Sequence, residues 1–134
     1  MAMHERDLET LEKILAQRGG FSHREHLELV WNYLGRYPID AASRAVAAAI
    51  RHVARLHGAP DKYHHTMTQA WVRLVAFHRA GSQARTFDRF LAENPGLLDR
   101  GLLERHYTRD LLLSQGARAG WIEPDLRALP EKIT

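Results

Sequence analysis

Apolar residues recur every three or four positions through most of this sequence, which is the spacing of helices that bury one face. Nowhere do β-branched residues alternate with polar ones over the length of a strand. Ala, Leu, Arg and Glu, all good helix formers, are frequent throughout. The pattern therefore predicts an all-α fold: a four-helix core bundle with shorter C-terminal helices packed across it.

Four longer helices are predicted before residue 81, each with a start or stop signal in the sequence. Gly19-Gly20 should stop the first, Tyr37-Pro38 should follow the second, and Gly58 should end the third. The predicted bounds are about Glu5–Gln17, Ser22–Gly35, Asp40–Gly58, and Pro60 or Asp61 to Ala80.

The second helix has the most specific start signal. Ser22 and Glu25 have the spacing of a capping box, in which each side chain bonds the main-chain amide of the other residue. Phe21 occupies the position of a hydrophobic staple, and its predicted partner is His26. The apolar face of this helix is expected to consist of Leu27, Val30, Trp31 and Leu34.

The last third of the chain is predicted to form shorter pieces. Thr86 should cap a short helix that Asn94-Pro95-Gly96 ends, and Thr108 should cap another. A further helix is expected over 97–106, and an irregular tail from Pro124. A length of 134 residues fits one domain, with roughly two thirds of the unfolded surface buried.

Composition excludes several classes of function. The chain has no cysteine, which excludes disulfides, thiolate nucleophiles, iron–sulfur clusters and Cys-type zinc sites. No apolar run approaches the ~20 residues of a membrane-spanning helix, so no membrane association is expected. The net charge is only +3 and no block of like charge occurs, so we expect no nucleic-acid partner. The charged N-terminus lacks an apolar signal core, which favours the cytoplasm.

The nine histidines are roughly three times the number that average usage gives. At about 100° per residue, His23 and His26 lie about 60° apart at the edge of an apolar face. His57 is in line with the apolar stripe of the third helix, and His64 is in line with Thr68 and Trp71. Consecutive helices joined by short connections are antiparallel, so the start of the second helix, the end of the third and the start of the fourth lie at the same end of the bundle. The four histidines occupy these helix ends and are therefore predicted to cluster at one pole of the bundle.

Such a cluster allows three kinds of chemistry. His23, His26 and His64 could bind a divalent metal such as zinc, iron or nickel. His26 and His64 could instead act as a general acid and base. Lys62 and Tyr63 could hold an anionic ligand beside them. The structural alternative is that the histidines are packed and hydrogen-bonded, with Trp31 and Trp71 in the core.

Two short segments carry most of this hypothesis. Lys62-Tyr63-His64-His65-Thr66 forms a predicted first helical turn in which Lys opposes the helix dipole, so stability alone does not explain it. We assign the main role there to His64. Arg105-His106-Tyr107 would complete the site if the C-terminal helices fold over the pole. Alternatively, His106 only stabilises a helix C-terminus.

The same segments carry a resemblance to a family of small bacterial proteins with no assigned activity. Its pattern F-[ST]-H-x-x-H is matched by residues 21–26, W-x-Y-L by residues 31–34, and K-Y-H-x-T by residues 62–66, where His65 fills the variable position. A later R-[HY]-Y segment is matched by residues 105–107. The resemblance covers most of the chain and implies no particular reaction. Because the last motif varies between His and Tyr, it argues against an obligatory ligand at His106.

The sequence thus favours a small bacterial enzyme that acts on a small organic molecule by lyase, isomerase or cyclase chemistry. The candidate catalytic residues are His26, His64, Tyr63 and Tyr107, and the candidate ligand-binding residues are Lys62, Trp31, Trp71, Thr68 and His106. The alternative is a non-catalytic helical module that binds a small ligand or another protein. A homodimer is compatible with either function.

Overall fold

The computed structural model describes residues 3–130, with the backbone alone at Arg18. This part of the chain consists of helices, turns and irregular segments and contains no strand, which confirms the predicted all-α class. The α-helices are α1 Glu5–Arg18, α2 His23–Leu34, α3 Ile39–Leu56, α4 His65–Ala80, α5 Phe87–Glu93, α6 Arg109–Leu112 and α7 Gln115–Ala119. Shorter 3₁₀ helices occupy Pro60–Lys62, Pro95–Leu98 and Arg100–Arg105. Within the described range, no helix is both long and apolar enough to cross a membrane.

The chain divides into two compact units, the first ending at Tyr63 and the second beginning at His64. In the first unit, α1, α2 and α3 contact one another in every pairwise combination. In the second unit, α7 contacts both α4 and α6. The sequence pattern predicts that the fourth helix packs with the first three, whereas the compact units group α4 with the C-terminal elements.

The core of the first unit is built from one face of each of its three helices. α3 contributes mainly small side chains, as its alanine-rich stripe predicts. The fully buried side chains include Leu11, Leu27, Leu29, Val30, Tyr33, Ala42, Val46 and Ala49. The predicted face of α2 was partly wrong, because Trp31 and Leu34 are only half-buried while Leu29 and Tyr33 are fully buried. Tyr33 faces inward because its hydroxyl donates a hydrogen bond of 2.8 Å to the main-chain oxygen of Asp7 on α1.

A polar network joins α1 to the residues that follow α2. The Asp7 carboxylate is buried and accepts hydrogen bonds from Arg36, at 2.5 Å, and from the Tyr37 hydroxyl, at 3.0 Å. Arg36 also donates to the hydroxyl of Thr10 at 2.8 Å. Burial, followed by the Asp7 charge, raises the pKa of Tyr33 above its usual value. Each of these polar groups therefore has a partner, and the network ties α1 to α2.

The second unit packs the apolar face of α4 with side chains from the shorter helices. Its buried residues include Trp71, Val72, Val75, Phe90, Leu97, Leu103, Tyr107 and Leu112. The predicted caps Thr86 and Thr108 are confirmed, since their hydroxyls accept from the amides of Arg89 and Leu111.

Three predicted elements of the second half differ in the structure. α4 begins at His65, not at Pro60 or Asp61, because the side chain of His64 caps it and the preceding turn is a separate 3₁₀ helix. The helix expected over 97–106 is instead two 3₁₀ helices separated by Asp99, whose carboxylate caps the second. α7, which Ser114 caps, was not predicted. Residues 121–130 lack regular structure, as expected for the tail.

Candidate functional site

The start of α2 is held by the local interactions that its sequence predicts. Gly19 ends α1 in the left-handed conformation, at φ 69°, where glycine avoids steric strain. Both halves of the Ser22–Glu25 capping box are present. The ring of Phe21 lies 6.1 Å from that of His26, centroid to centroid, which confirms the predicted staple. Residues 19–26 therefore fix the position of His26 with respect to the helix end.

Replacing Ser22 by Ala should lower the free energy of unfolding by about 1 kcal/mol, because one amide of the first turn loses its acceptor. Urea unfolding measures this loss. Ser22→Thr is the matched control, since it keeps the hydroxyl and should cost only a few tenths of that amount. Equal losses in the two variants would contradict a role for the capping hydroxyl.

The side chain of His26 combines burial with an unused polar atom. Its Nε2 atom is buried and has no hydrogen-bond partner within residues 3–130. Burial, followed by the neighbouring charge of His23, lowers the pKa of His26 to about 4. His26 is thus neutral at pH 7. Buried polar atoms nearly always have a partner, so Nε2 is a candidate atom for binding a ligand.

His64 has a different role from the one that its position in the sequence predicted. Its Nδ1 atom accepts a hydrogen bond from the amide of Met67 and caps α4. Nε2 therefore carries the proton and donates it to the main-chain oxygen of Leu112, at 2.6 Å. Both nitrogens are engaged in structural bonds. A role for His64 as a metal ligand or proton carrier would require one of these bonds to open, and it stays a prediction.

His64→Ala should lower the free energy of unfolding by about 2 kcal/mol, because it removes an N-cap and leaves the buried Leu112 carbonyl without a donor. His64→Asn should recover about half of this loss, since its amide oxygen can still cap α4. Urea unfolding of both variants checks the prediction. A fully stable His64→Ala protein would show that these bonds contribute little.

The other predicted residues around His64 have structural environments. Trp71 is buried in α4, and the Thr68 hydroxyl donates to the main-chain oxygen of His64 at 2.8 Å. Lys62 is exposed at the end of its 3₁₀ helix. The guanidinium of Arg51 lies 4.4 Å from the centre of the Tyr63 ring. None of these contacts tests ligand binding by these residues.

His106 and Tyr107 both bind the C-terminal tail. The Nδ1 atom of His106 donates to the main-chain oxygen of Arg127 at 2.9 Å. The hydroxyl of Tyr107 donates to the main-chain oxygen of Ile122 at 2.7 Å. Burial, followed by the charge of Glu123, raises the pKa of Tyr107 to about 12, so its hydroxyl keeps its proton at neutral pH.

The predicted histidine pole is divided between the two units. His23 and His26 belong to the first unit and His64 to the second. His57 was predicted to face inward, but it is exposed, because α3 ends at Leu56 and His57 is only its C-cap. In the part of the chain described, no three His, Asp or Glu residues are grouped so that they could hold a metal ion. The hypothesis of zinc, iron or nickel bound by His23, His26 and His64 therefore gains no structural support.

Two features of the structure were missed by the sequence analysis. One is the Asp7–Arg36–Tyr37 network, and the other is the set of hydrogen bonds to residues 120–127. A buried aspartate in the first turn of a helix looks like an ordinary dipole-compensating residue in the sequence. Hydrogen bonds to an irregular segment leave no periodic signal at all. Neither feature could be found without the tertiary structure.

Comparison with known protein families, curated proteins and solved structures gives no significant match to this chain. The motif resemblance therefore supplies no further evidence on function, and the site's own chemistry must carry the argument.

Proposed function

We propose that this protein binds a small organic molecule at the start of α2 and acts on it through the neutral imidazole of His26. The observation that carries this proposal is the Nε2 atom, which is buried and without a hydrogen-bond partner in the described part of the chain. An orphaned polar atom of this kind costs free energy that a bound ligand would recover. The catalytic form of the proposal is an enzyme with lyase, isomerase or cyclase chemistry.

The segment in front of α2 is the side from which we propose that a ligand approaches His26. The ring centroid of Phe21 lies 6.1 Å from that of His26, and Phe21 is itself half-buried. It lies in a short connection between α1 and α2 that has no helical hydrogen bonds of its own. We infer that the ligand displaces the Phe21 side chain, a movement that requires no helix to unwind.

The low pKa limits what the imidazole can do. A general base is most effective when its pKa is near the working pH, and a pKa of about 4 makes His26 a weak base at pH 7. A neutral imidazole can instead polarise a carbonyl or carboxyl oxygen by donating an N–H hydrogen bond. The chemistry open to His26 is therefore hydrogen bonding to an oxygen of the substrate, with proton abstraction left to another group.

The same low pKa favours a second candidate function, non-catalytic ligand binding. A side chain that stays neutral across the physiological range makes a stable hydrogen bond but moves few protons. The protein would then be a small-ligand sensor or carrier with the same site. The two functions differ only in whether the bound molecule is converted.

Both are tested by screening small carboxylates, amides and phosphate esters against the full chain with ¹⁵N-labelled histidines. A true ligand should shift the Nε2 resonance of His26. His26→Phe, which keeps an aromatic partner for Phe21, should abolish that binding. The control His57→Ala changes an exposed histidine of the same unit and should leave binding intact.

The same samples separate catalysis from binding, because the resonances of each ligand report its conversion over hours. Conversion that is lost in His26→Phe supports an enzyme, and binding without conversion supports a carrier. Binding that survives in His26→Phe, or a screen in which no compound shifts the His26 resonance, would overturn the proposed site.

A further inference from the structure

The exposed face of α3 carries a row of three arginines, Arg44, Arg51 and Arg55, which we name the arginine stripe. All three residues are exposed to solvent. With about 100° between successive helical residues, they lie within about 40° of one another around the helix axis. The row is about 16 Å long, because the rise of the helix is about 1.5 Å per residue. The opposite face of α3 is buried in the core of the first unit.

The positive charge of the arginine stripe is not compensated by neighbouring carboxylates. No acidic residue occurs between Asp40 and Asp61 in the sequence. Asp40 precedes Arg44 by one helical turn, yet no arginine of the stripe forms an ion pair within residues 3–130. A surface with unpaired positive charge attracts anions and raises their local concentration.

Arg51, in the middle part of the row, is held by an aromatic neighbour. Its guanidinium lies 4.4 Å from the centre of the Tyr63 ring, and Tyr63 is half-buried. A guanidinium that stacks on a ring keeps the N–H groups at the edge of its plane available for phosphate oxygens. Arg51 therefore loses less side-chain entropy on binding an anion than a freely rotating arginine does.

The length of the arginine stripe favours an extended polyanion over a small one. A single phosphate or carboxylate group would leave most of a row of about 16 Å without a counter-charge. A DNA strand carries one negative charge per ~3.4 Å of duplex axis, so several phosphates lie within the same length. The backbone of a nucleic acid can thus contact all three arginines at once.

The helix that carries the stripe has the shape to approach duplex DNA. Ala41 and Ala48 lie beside the row and are half-buried, so no large side chain keeps the helix away from a partner. The major groove of B-DNA is about 12 Å wide and admits an α-helix. The major groove of duplex RNA is deep and too narrow for this. The stripe therefore fits duplex DNA better than duplex RNA.

A lipid surface is the other extended anion, and the stripe fits it less well. Helices that bind membranes place large apolar side chains in the acyl region. The exposed large apolar residues of α3 are Ile39 and Leu56. By helical geometry, both lie at least about 100° around the axis from the arginine stripe. They cannot enter a bilayer on which the stripe rests.

We propose that the arginine stripe of α3 binds the phosphate backbone of duplex DNA without sequence preference. Because seven and four positions separate the three arginines, they form no block of like charge in the sequence, and the helix alone brings them into line. Three phosphate contacts make such binding weak and strongly dependent on salt. This surface does not depend on the function proposed for His26.

Fluorescence anisotropy of a short labelled DNA duplex of mixed sequence, titrated with the full chain at several salt concentrations, tests the surface. The logarithm of the binding constant should fall with the logarithm of salt concentration with a slope of about −3, since each neutralised phosphate contributes about −0.9. Arg44→Ala and Arg55→Ala, at opposite ends of the row, should each reduce that slope by about 1 and weaken binding roughly tenfold at about 50 mM salt.

The matched control is Arg85→Ala, which removes the same charge from an exposed arginine of the second unit and should leave the slope unchanged. Circular dichroism checks that each variant keeps the helical content of the wild type, as expected for changes of exposed side chains. No binding of the duplex at low salt, or equal losses from the control and the two stripe variants, would overturn the DNA-binding surface.

Vesicles that contain phosphatidylserine and an RNA duplex, added to the same proteins, test the other two polyanions. We expect both to bind more weakly than the DNA duplex. Tighter binding to either one, or stripe variants that weaken binding to vesicles or RNA but not to DNA, would overturn duplex DNA as the ligand.

Discussion

Lowering the pH from about 7 to about 4 should reduce the free energy of unfolding by up to roughly 3 kcal/mol through His26 alone. The pKa of His26 is about 4 in the folded protein and 6.5 in the unfolded chain, because folding removes the imidazole from water. Between these values the unfolded chain binds a proton that the folded protein does not. Stability is therefore fully present above pH 6.5 and is lost as the pH falls toward 4.

The measurement is urea unfolding of the wild type and of His26→Phe at several pH values between these limits. The difference between the two proteins isolates His26, because the remaining eight histidines are common to both. That difference should change by most of the stated amount across the range. A constant difference would show that His26 is not shielded from water, and would also weaken the case for a ligand site there.

Replacing Asp7 by Ala should lower the free energy of unfolding by about 3 kcal/mol, because it leaves the guanidinium of Arg36 partly buried without its carboxylate. We expect the lower end of the range for broken buried ion pairs, since the Arg36 side chain keeps 22% of its surface exposed. The hydroxyl of Tyr37 loses its acceptors at the same time. Chemical denaturation at neutral pH measures the loss.

Glu9→Ala provides the control for Asp7→Ala, because Glu9 is an exposed acidic residue on the same helix. Its effect should stay within about 0.5 kcal/mol, as for most surface substitutions. If the two variants were equally stable, the Asp7–Arg36 pair would contribute no more than a surface charge. The network would then not be what joins α1 to α2.

The helix ends could be predicted wherever the interaction that makes them is local. Ser22, Thr86 and Thr108 each bind within three residues of themselves, so their caps depend only on the neighbouring sequence. The staple of Phe21 on His26 spans five residues and was predictable for the same reason. α7 was missed because its five residues carry too little apolar pattern to stand out.

The candidate site was predicted only in part. Helical periodicity placed His26 at the edge of an apolar face, and the structure confirms its contact with Phe21. Periodicity could not show that Nε2 lacks a partner, since that depends on every atom that packs around it. His64 has the same pattern in the sequence, yet its Nε2 atom finds a carbonyl 48 residues away.

The all-α class, most helix bounds and the turn before His26 could be predicted from the sequence, because the residues whose interactions set them lie close together along the chain. Which buried polar groups are satisfied depends instead on the tertiary structure. Arg36 meets Asp7 across 29 residues, and Thr66 meets Gly120 across 54. Such pairs form only once packed helices bring distant residues together. The Nε2 atom of His64 has such a distant partner, whereas that of His26 has none within residues 3–130.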